Sequence, residues 1–247
     1  MIYVISGTQD GRALIQDLVN AGYAVIASAT TEYGADLIKE ATGVEVLCGK
    51  LNSDDMSELI DKRAVEVIVD ASHPYASNVS ENAIEASKNA KIRYIRFERE
   101  ESDLATDNVT YLETYEQVID ALEDTGENIL LTVGSNNLER FKSFIDKGNI
   151  FARVLPTSNV IGKCEALGLK PKNIIAMQGP FSTSFNIEMI KQFNIKWMVT
   201  KESSDIGGFN DKVEAAKQSG VHVLVLKRPK IEYPEVYDNN GELIAHL

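Results

Sequence analysis

Residues 2–12 read IYVISGTQDGR, and this stretch decides the fold class. A short apolar run leads directly into a polar loop that carries Gly7, and a helical pattern of apolar residues follows from Leu14 to Val19. A buried strand that enters a helix through a glycine-bearing loop is the repeating unit of α/β proteins. The stretch therefore predicts the first strand and helix of a parallel sheet.

The same unit recurs along the chain. Further strands are predicted at 24–27, 65–69, 92–97, 129–133, 151–155, 174–177, 197–199 and 221–226. Because strands buried on both faces read as continuous apolar runs, this pattern predicts parallel sheets covered by helices on both sides. The charged and less patterned stretch 98–128 divides the chain into two α/β units, 1–110 and 111–247. A single continuous sheet is the alternative architecture.

Composition narrows the function classes. The chain has 247 residues, of which 44% are hydrophobic and 25% charged, as is usual for a globular protein. Its net charge of −12 disfavours DNA, RNA and anionic membranes as partners. No apolar run approaches the roughly 18 residues of a membrane span, and the first residues lack the pattern of a signal peptide. We therefore expect a cytoplasmic protein with no nucleic-acid or membrane partner.

Cysteine and histidine usage gives no metal signal. Cys48 and Cys164 lie far apart and form no CxxC motif, so we expect two buried, reduced thiols. The three histidines are scattered, and no zinc-ligand spacing is present. The sequence predicts no bound metal.

The loop after the first strand has features of a phosphate site. Ligands of parallel sheets bind beyond the carboxyl ends of the strands, where helix N-termini gather. Gly7 would let an anion approach the backbone, Thr8 offers a hydroxyl, and Arg12 lies within reach of a phosphate. The loop has neither a GxGxxG nor a Walker A motif, so an ordinary turn with a solvated Arg12 is equally compatible.

The end of the second predicted strand bears on the choice of nucleotide. NAD-binding units often place an acidic residue there to hold the ribose hydroxyls. This chain has Ser28, Thr30 and Thr31 instead, and hydroxyl groups tolerate a 2′-phosphate. The pattern favours NADPH over NADH, although Glu32 could still turn inward, and a merely polar strand end is the plainer interpretation.

The segment DASHPYA, residues 70–76, gathers several reactive side chains in one loop. His73 or Asp70 could act in acid–base chemistry, and Tyr75 could stack on a planar ligand. A lone histidine is more often structural, and no GxSxG nucleophile motif accompanies it. The loop is therefore a candidate site without a hydrolase triad.

Cationic residues lie at or after several of the predicted strands: Arg96, Arg99, Arg153, Lys201 and Lys212. If the two units face each other across a cleft, these side chains converge and suit a polyanionic small molecule. Each could instead be solvated or paired locally, as Lys201 could be with Glu202.

Taken together, these loops resemble those of the precorrin-6A reductase family of cobalamin biosynthesis. The resemblance covers nearly the whole chain and rests on segments 6–8, 11–12, 30–34, 70–76, 94–99, 132–135, 152–156, 178–182, 200–203 and 207–208 with Lys212. The chain departs from the family pattern at Ser6, where two adjacent glycines are usual, and at Ser204, where glycine is usual.

The resemblance implies two Rossmann-like parallel-sheet units, of which the first binds the coenzyme, with the active site in the cleft between them. It also implies NADPH-dependent reduction of one double bond in precorrin-6A, a tetrapyrrole polycarboxylate, or in its cobalt complex. A hydride passes from the nicotinamide to the macrocycle, and a proton is added at the neighbouring carbon.

On this basis we assign roles to individual residues. The predicted coenzyme ligands are Gly7, Thr8 and Arg12 at the phosphates and Ser28, Thr30 and Thr31 near the adenosine ribose. The predicted substrate contacts are Tyr75, Arg96, Arg99, Ser135, Arg153, Gly179, Ser182, Lys201 and Lys212. The candidates for the proton donor are Lys201, His73 and a bound water.

Two other functions are compatible with the sequence. One is another NAD(P)-dependent reductase or epimerase on the same fold. The other is a two-lobed binding protein for an anionic metabolite, which would close at a hinge near residues 98–128.

Overall fold

A computed structural model describes residues 1–98, 107–202 and 208–247. The chain forms two compact units, one of Met1–Glu100 with Pro229–Leu247 and the other of Glu101–Arg228. Each unit holds a parallel sheet with helices packed on it, so the predicted α/β class is confirmed. The alternative of one continuous sheet is wrong, since the described strands form two separate sheets.

The described residues form twelve strands: β1 (Ile2–Ser6), β2 (Val25–Ala29), β3 (Glu45–Cys48), β4 (Val67–Ala71), β5 (Arg93–Phe97), β6 (Val109–Leu112), β7 (Asn128–Leu131), β8 (Ile150–Val154), β9 (Ile174–Ala176), β10 (Ile195–Lys201), β11 (His222–Leu226) and β12 (Val236–Tyr237).

They also form ten α-helices: α1 (Gln9–Asn20), α2 (Glu32–Thr42), α3 (Ser53–Arg63), α4 (Ser77–Ala90), α5 (Tyr115–Leu122), α6 (Lys142–Lys147), α7 (Ser158–Ala166), α8 (Thr183–Gln192), α9 (Phe209–Gln218) and α10 (Asn240–Ala245). Two 3-10 helices complete the set, η1 (Ser135–Phe141) and η2 (Pro171–Asn173). No helix of this described set is long and apolar enough to cross a membrane.

The first sheet has the strand order β12-β5-β4-β1-β2-β3, and the paired strands are parallel. Its two faces are built by alternation along β1. Val4 packs in one cluster with Leu14 of α1, whereas Tyr3 and Ile5 pack in another with Met56 of α3. Helices therefore cover both faces and leave the strand ends as the accessible polar edges.

The second sheet has the order β6-β11-β10-β7-β8-β9, again with parallel pairing. The helices α8 and α9 pack on one face through Met189, Phe209 and Val213, which cluster with Met198 of β10. In each sheet the connections that follow a central pair of strands run in opposite directions across the sheet. The pair is β1 and β4 in the first sheet and β7 and β10 in the second.

The structure differs from the predicted division at the C-terminus. Residues 229–247, predicted in the second unit, belong to the first one. The strand β12 pairs with β5, Arg96 N donates to Glu235 O at 2.8 Å, and Arg93 forms an ion pair with Glu235 at 2.8 Å. These main-chain and charge contacts join segments far apart in sequence, so local patterns do not reveal them.

The boundary between the two units, at Glu100 and Glu101, lies within the stretch 98–128, and the part of this stretch from 107 to 128 contains β6 and α5. One smaller expectation fails. Cys164 is a buried free thiol as predicted, but Cys48 is exposed, because it ends the edge strand β3.

Candidate active site

The carboxyl ends of β1 and β4 form the first candidate crevice. The chain leaves β1 toward β2 and leaves β4 toward β5, on opposite sides, and ligands of open parallel sheets bind at such divergence points. The two loops touch here, because the Thr8 hydroxyl donates to the Ala71 carbonyl at 3.4 Å. Gly7 is exposed at this edge, and a Cβ at its position would meet no atom within 4 Å. The backbone at Gly7 is therefore open to a ligand.

The N-terminus of α1 points to the same edge. Thr8 is its N-cap and accepts a hydrogen bond from Gly11 N at 3.0 Å. Arg12 is half-buried and folds back on the loop, with Nη1 donating to the Thr8 carbonyl at 3.4 Å. The predicted loop residues Gly7, Thr8 and Arg12 thus lie together at a helix N-terminus, which is suited to phosphate.

Gly11 is a functional position that the sequence analysis missed. A Cβ on Gly11 would lie 2.4 Å from Ser6 Oγ and 3.2 Å from the Ala71 carbonyl oxygen, so only glycine lets α1 approach β1 and β4 this closely. The signal is present in the spacing, because Ser6, Thr8 and Gly11 stand where GxGxxG has its three glycines. Ser6 Oγ is buried without a hydrogen-bond partner under this loop. The close helix approach and the open backbone fit a dinucleotide.

The predicted ribose ligands differ in their exposure. Ser28 is buried at 5% exposure and its hydroxyl shares a 2.7 Å hydrogen bond with Tyr3, so its assignment to the ribose is corrected. Its side chain points into the helix-covered core because it lies within β2. Thr30 and Thr31 are exposed beyond the strand end, and Thr31 caps α2 by accepting from Gly34 N at 3.1 Å.

The carboxylate of Asp70 is the centre of a buried network at the end of β4. It accepts from Ser72 N at 3.0 Å, Ser80 Oγ at 2.6 Å and Tyr94 Oη at 2.7 Å, and forms an ion pair with Arg96 at 3.0 Å. Burial and the Asp70 charge together raise the pKa of Tyr94. A fully buried carboxylate with four partners holds the loop in place, so Asp70 is not a candidate acid or base.

Arg96 likewise forms ion pairs with other residues of the protein. It is fully buried and pairs with Glu98 as well as Asp70, with Nε 2.7 Å from Glu98 Oε2. Burial alone would lower the pKa of Arg96, but the two carboxylates raise it above its usual value. The predicted contact of Arg96 with substrate carboxylates is therefore corrected, and Arg99 lies outside the described residues.

His73 and Tyr75 occupy the rim of the loop that this network supports. His73 is exposed and its Nδ1 accepts from Tyr75 N at 3.3 Å. The two rings lie 5.6 Å apart and are tilted at 48°. Both side chains are at the same edge as Gly7, as the sequence predicts.

The second candidate crevice lies at the carboxyl ends of β7 and β10. Thr132 ties the strand ends together, because its amide and its hydroxyl both donate to Val199 O, at 2.8 and 3.0 Å. Gly134 has a φ of 78° and turns the chain into η1, which begins at the half-buried Ser135. Lys201 ends β10 at the same edge and is half-buried, and burial lowers its pKa. The predicted residues Ser135 and Lys201 are thus brought to one edge.

Arg153 and Lys212 are the unusual cations of this unit. Lys212 is only 8% exposed, and its Nζ donates to Thr200 Oγ1 at 3.3 Å. Burial lowers the pKa of Lys212 to about 7, with a smaller contribution from the charge of Arg153. Burial also lowers the pKa of Arg153 to about 10. Arg153 donates to the neutral amide of Asn186 at 2.7 Å, and neither Arg153 nor Lys212 forms an ion pair with another of the described residues.

The loop after β9 carries Gly179 and Ser182. Ser182 is exposed and caps α8 by accepting from Phe185 N at 3.3 Å. The next amide, Thr183 N, already donates to Asp211 Oδ1 at 2.9 Å. A protein carboxylate therefore occupies the first turn of α8, and the predicted substrate contacts of Gly179 and Ser182 stay predictions.

Comparison with known proteins decides the family. The model of the family "Precorrin-6x reductase CbiJ/CobK" matches residues 1–247. The chain belongs to this family. It is therefore an oxidoreductase, and the family resemblance drawn from the loops is confirmed.

Individual relatives in the CbiJ/CobK family align with this chain over nearly their whole length. The chain is 40% identical to "Cobalt-precorrin-6A reductase" of Priestia megaterium, covering 100% of this chain and 98% of the relative. It is 34% identical to the protein of the same name from Methanocaldococcus jannaschii, covering 100% and 97%. A solved structure, "CobK precorrin-6A reductase", has 18% identity and a TM-score of 0.82 over 99% of this chain and 95% of that one, which supports the fold.

Proposed function

We propose that this protein reduces one double bond of precorrin-6A or of its cobalt complex, in cobalamin biosynthesis, with NADPH as the reductant. The observation that carries the proposal is the pair of cations in the second unit, the buried Lys212 and the half-buried Arg153. Arg153 and Lys212 lack carboxylate partners among the described residues, and a buried charge is costly unless something compensates it. A substrate edged with carboxylates supplies that compensation.

The first unit provides the coenzyme site in this proposal. The N-terminus of α1 and the open backbone at Gly7 would hold the phosphates, with Arg12 beside them. The exposed hydroxyls of Thr30 and Thr31 would tolerate a 2′-phosphate at the end of β2. When bound, NADPH supplies the hydride. The rim residues His73 and Tyr75 border the same edge and would shield it from water.

Lys201 is our proposed proton donor. Its lowered pKa makes the ammonium at Nζ a stronger acid than an exposed lysine, and its place at the end of β10 puts it at a ligand-binding edge. His73 is the second candidate, but it is exposed, and its Nδ1 already accepts a backbone hydrogen bond. In this assignment Lys201 protonates the carbon next to the one that receives the hydride.

Replacing Lys201 by alanine tests the assignment. We expect Lys201→Ala to lower kcat with cobalt-precorrin-6A by about 100-fold, the low end for loss of a general acid, and to leave the affinity for NADPH unchanged. The melting temperature should not fall, since the variant removes a half-buried charge. Steady-state rates, coenzyme titration and thermal unfolding check these points. Unchanged turnover would remove Lys201 from the site.

A further inference from the structure

Two aromatic rings form an accessible platform at the start of α8. Phe181 and Phe185 stack with centroids 5.2 Å apart and planes inclined by 14°. Phe185 is 40% exposed, which is unusual for a large aromatic side chain in a helix. An apolar surface of this kind, left open at the ligand-binding edge of a sheet, is suited to a planar ligand.

A guanidinium lies directly on this platform. The central carbon of Arg153 is 4.6 Å from the centroid of the Phe181 ring. Its Nη1 donates to Asn186 Oδ1 at 2.7 Å, and Asn186 is buried at 1% exposure. Because the partner is a neutral amide, the guanidinium is held in a fixed orientation without an ion pair to any of the described residues.

Asn186 also holds the loop that carries the platform. Its Nδ2 donates to the carbonyls of Phe181 and Ser182, at 3.2 and 2.9 Å. The buried side chain of Asn186 therefore fixes the positions of both the loop with Phe181 and the guanidinium of Arg153. Such a fully satisfied amide is a rigid support for a binding site.

Two more exposed apolar side chains stand at neighbouring strand ends. Leu155 follows β8 and is 46% exposed, and Met177 follows β9 and is 41% exposed. The two residues are adjacent, since Met177 N donates to Val154 O at 2.9 Å. The ends of two neighbouring strands therefore carry exposed apolar side chains.

We propose that Phe181, Phe185 and Arg153 form a subsite for one carboxylate-bearing ring of the macrocycle, with Asn186 as a positioning residue. This inference rests on the proposed function. The aromatic pair contacts the ring, and the guanidinium binds its carboxylate. Leu155 and Met177 contact the adjoining part of the macrocycle. The charge complementarity of an uncompensated cation above an apolar floor favours a flat, anionic occupant.

Phe185→Ala tests the platform, because the side chain is exposed and its loss should leave the fold intact. We expect KM for cobalt-precorrin-6A to rise roughly tenfold, the size of a lost stacking contact, with an unchanged dissociation constant for NADPH. Phe185→Leu should restore part of the affinity. Tyr23→Ala is the matched control, since Tyr23 is 36% exposed in the turn after α1, in the other unit.

Asn186→Asp tests the positioning role. The new carboxylate would neutralise Arg153, so we expect KM for the tetrapyrrole to rise more than kcat falls. A merely structural role would change the melting temperature and kcat without this split. If Asn186→Asp unfolds the protein, the Phe185 variants still decide the subsite.

The outcomes separate the two proposals. If the wild-type protein reduces cobalt-precorrin-6A and Phe185→Ala has the wild-type KM, the subsite is overturned and the proposed function stands. If Phe185→Ala weakens NADPH instead of the tetrapyrrole, the platform belongs to the coenzyme and the subsite is again overturned. If the wild-type protein reduces neither tetrapyrrole, the proposed function and the subsite both fall.

Discussion

Lys212 shows how its surroundings change the chemistry of a side chain. An amine with an ordinary pKa of 10.5 is lowered to about 7 because it is buried and lies near the charge of Arg153. The folded state therefore holds this proton less tightly than the unfolded chain does. It follows that Lys212 costs stability below about pH 7, and that this cost is relieved as the pH rises from about 7 toward 10.5.

The same shift predicts a pH dependence of substrate binding. Only the protonated amine attracts a carboxylate, so KM for the tetrapyrrole should rise as the pH increases above about 7. Lys212→Arg keeps the charge throughout this range, and the rise should then disappear. KM measured against pH for both proteins checks this. Identical profiles would show that Lys212 does not set the dependence.

Arg153 and Arg96 offer a matched pair for stability. Arg153 has a neutral partner, and Arg96 forms ion pairs with two carboxylates. We expect Arg153→Met to lower the free energy of unfolding by about 1–2 kcal/mol, because it leaves the buried Asn186 Oδ1 without its donor. Arg96→Met should cost about 3–5 kcal/mol, because it leaves Asp70 buried and unpaired. Urea unfolding of both variants measures the contrast, and equal losses would contradict it.

The sequence could place these arginines at strand ends but could not show what they contact. Asp70 and Arg96 are register partners on the neighbouring strands β4 and β5, and register is a property of the folded sheet. Ser28 was misassigned for the same reason, because its partner Tyr3 comes from another strand. The exposed loop residues Gly7, Thr30 and His73 were located correctly, since a polar loop after an apolar strand is a local signal.

Among the elements, the approach of α1 to the sheet is the feature that shapes the proposed coenzyme site. Gly11→Ala would place a methyl group against Ser6 Oγ and the Ala71 carbonyl. We expect a loss of about 1–3 kcal/mol in unfolding free energy and weaker NADPH binding. Adding Ser6→Gly removes the nearest clash and should recover part of both. Chemical unfolding and coenzyme titration test this, and a fully stable single variant would refute the tight packing.

The strands that the sequence missed are short and lie at sheet edges. The strands β3 and β12 are partly exposed edge strands, and β12 has only two residues. The strand β6 is also an edge strand, and it lies in a charged region. Edge strands lack the continuous apolar run that identifies a buried strand, so pattern alone does not separate them from loops.

At the scale of the whole molecule, both units follow one plan. Each sheet has a central pair of strands whose chains diverge, and the functional candidates gather at the carboxyl ends of that pair or beside it. The chain carries a net charge of −12, yet Lys201, Lys212 and Arg153 stand in one unit with pKa values lowered by burial. Concentrated cations on an acidic protein are the expected arrangement for a small polyanion.

We propose that this protein transfers a hydride from NADPH to a corrin precursor. Steady-state turnover with purified cobalt-precorrin-6A, and with metal-free precorrin-6A, measures this transfer. We expect one molecule of NADPH to be oxidised for each molecule of product, and the product to have gained one hydride and one proton. Turnover should be slower when NADH replaces NADPH. Binding of NADPH without reduction of either tetrapyrrole would contradict the claim.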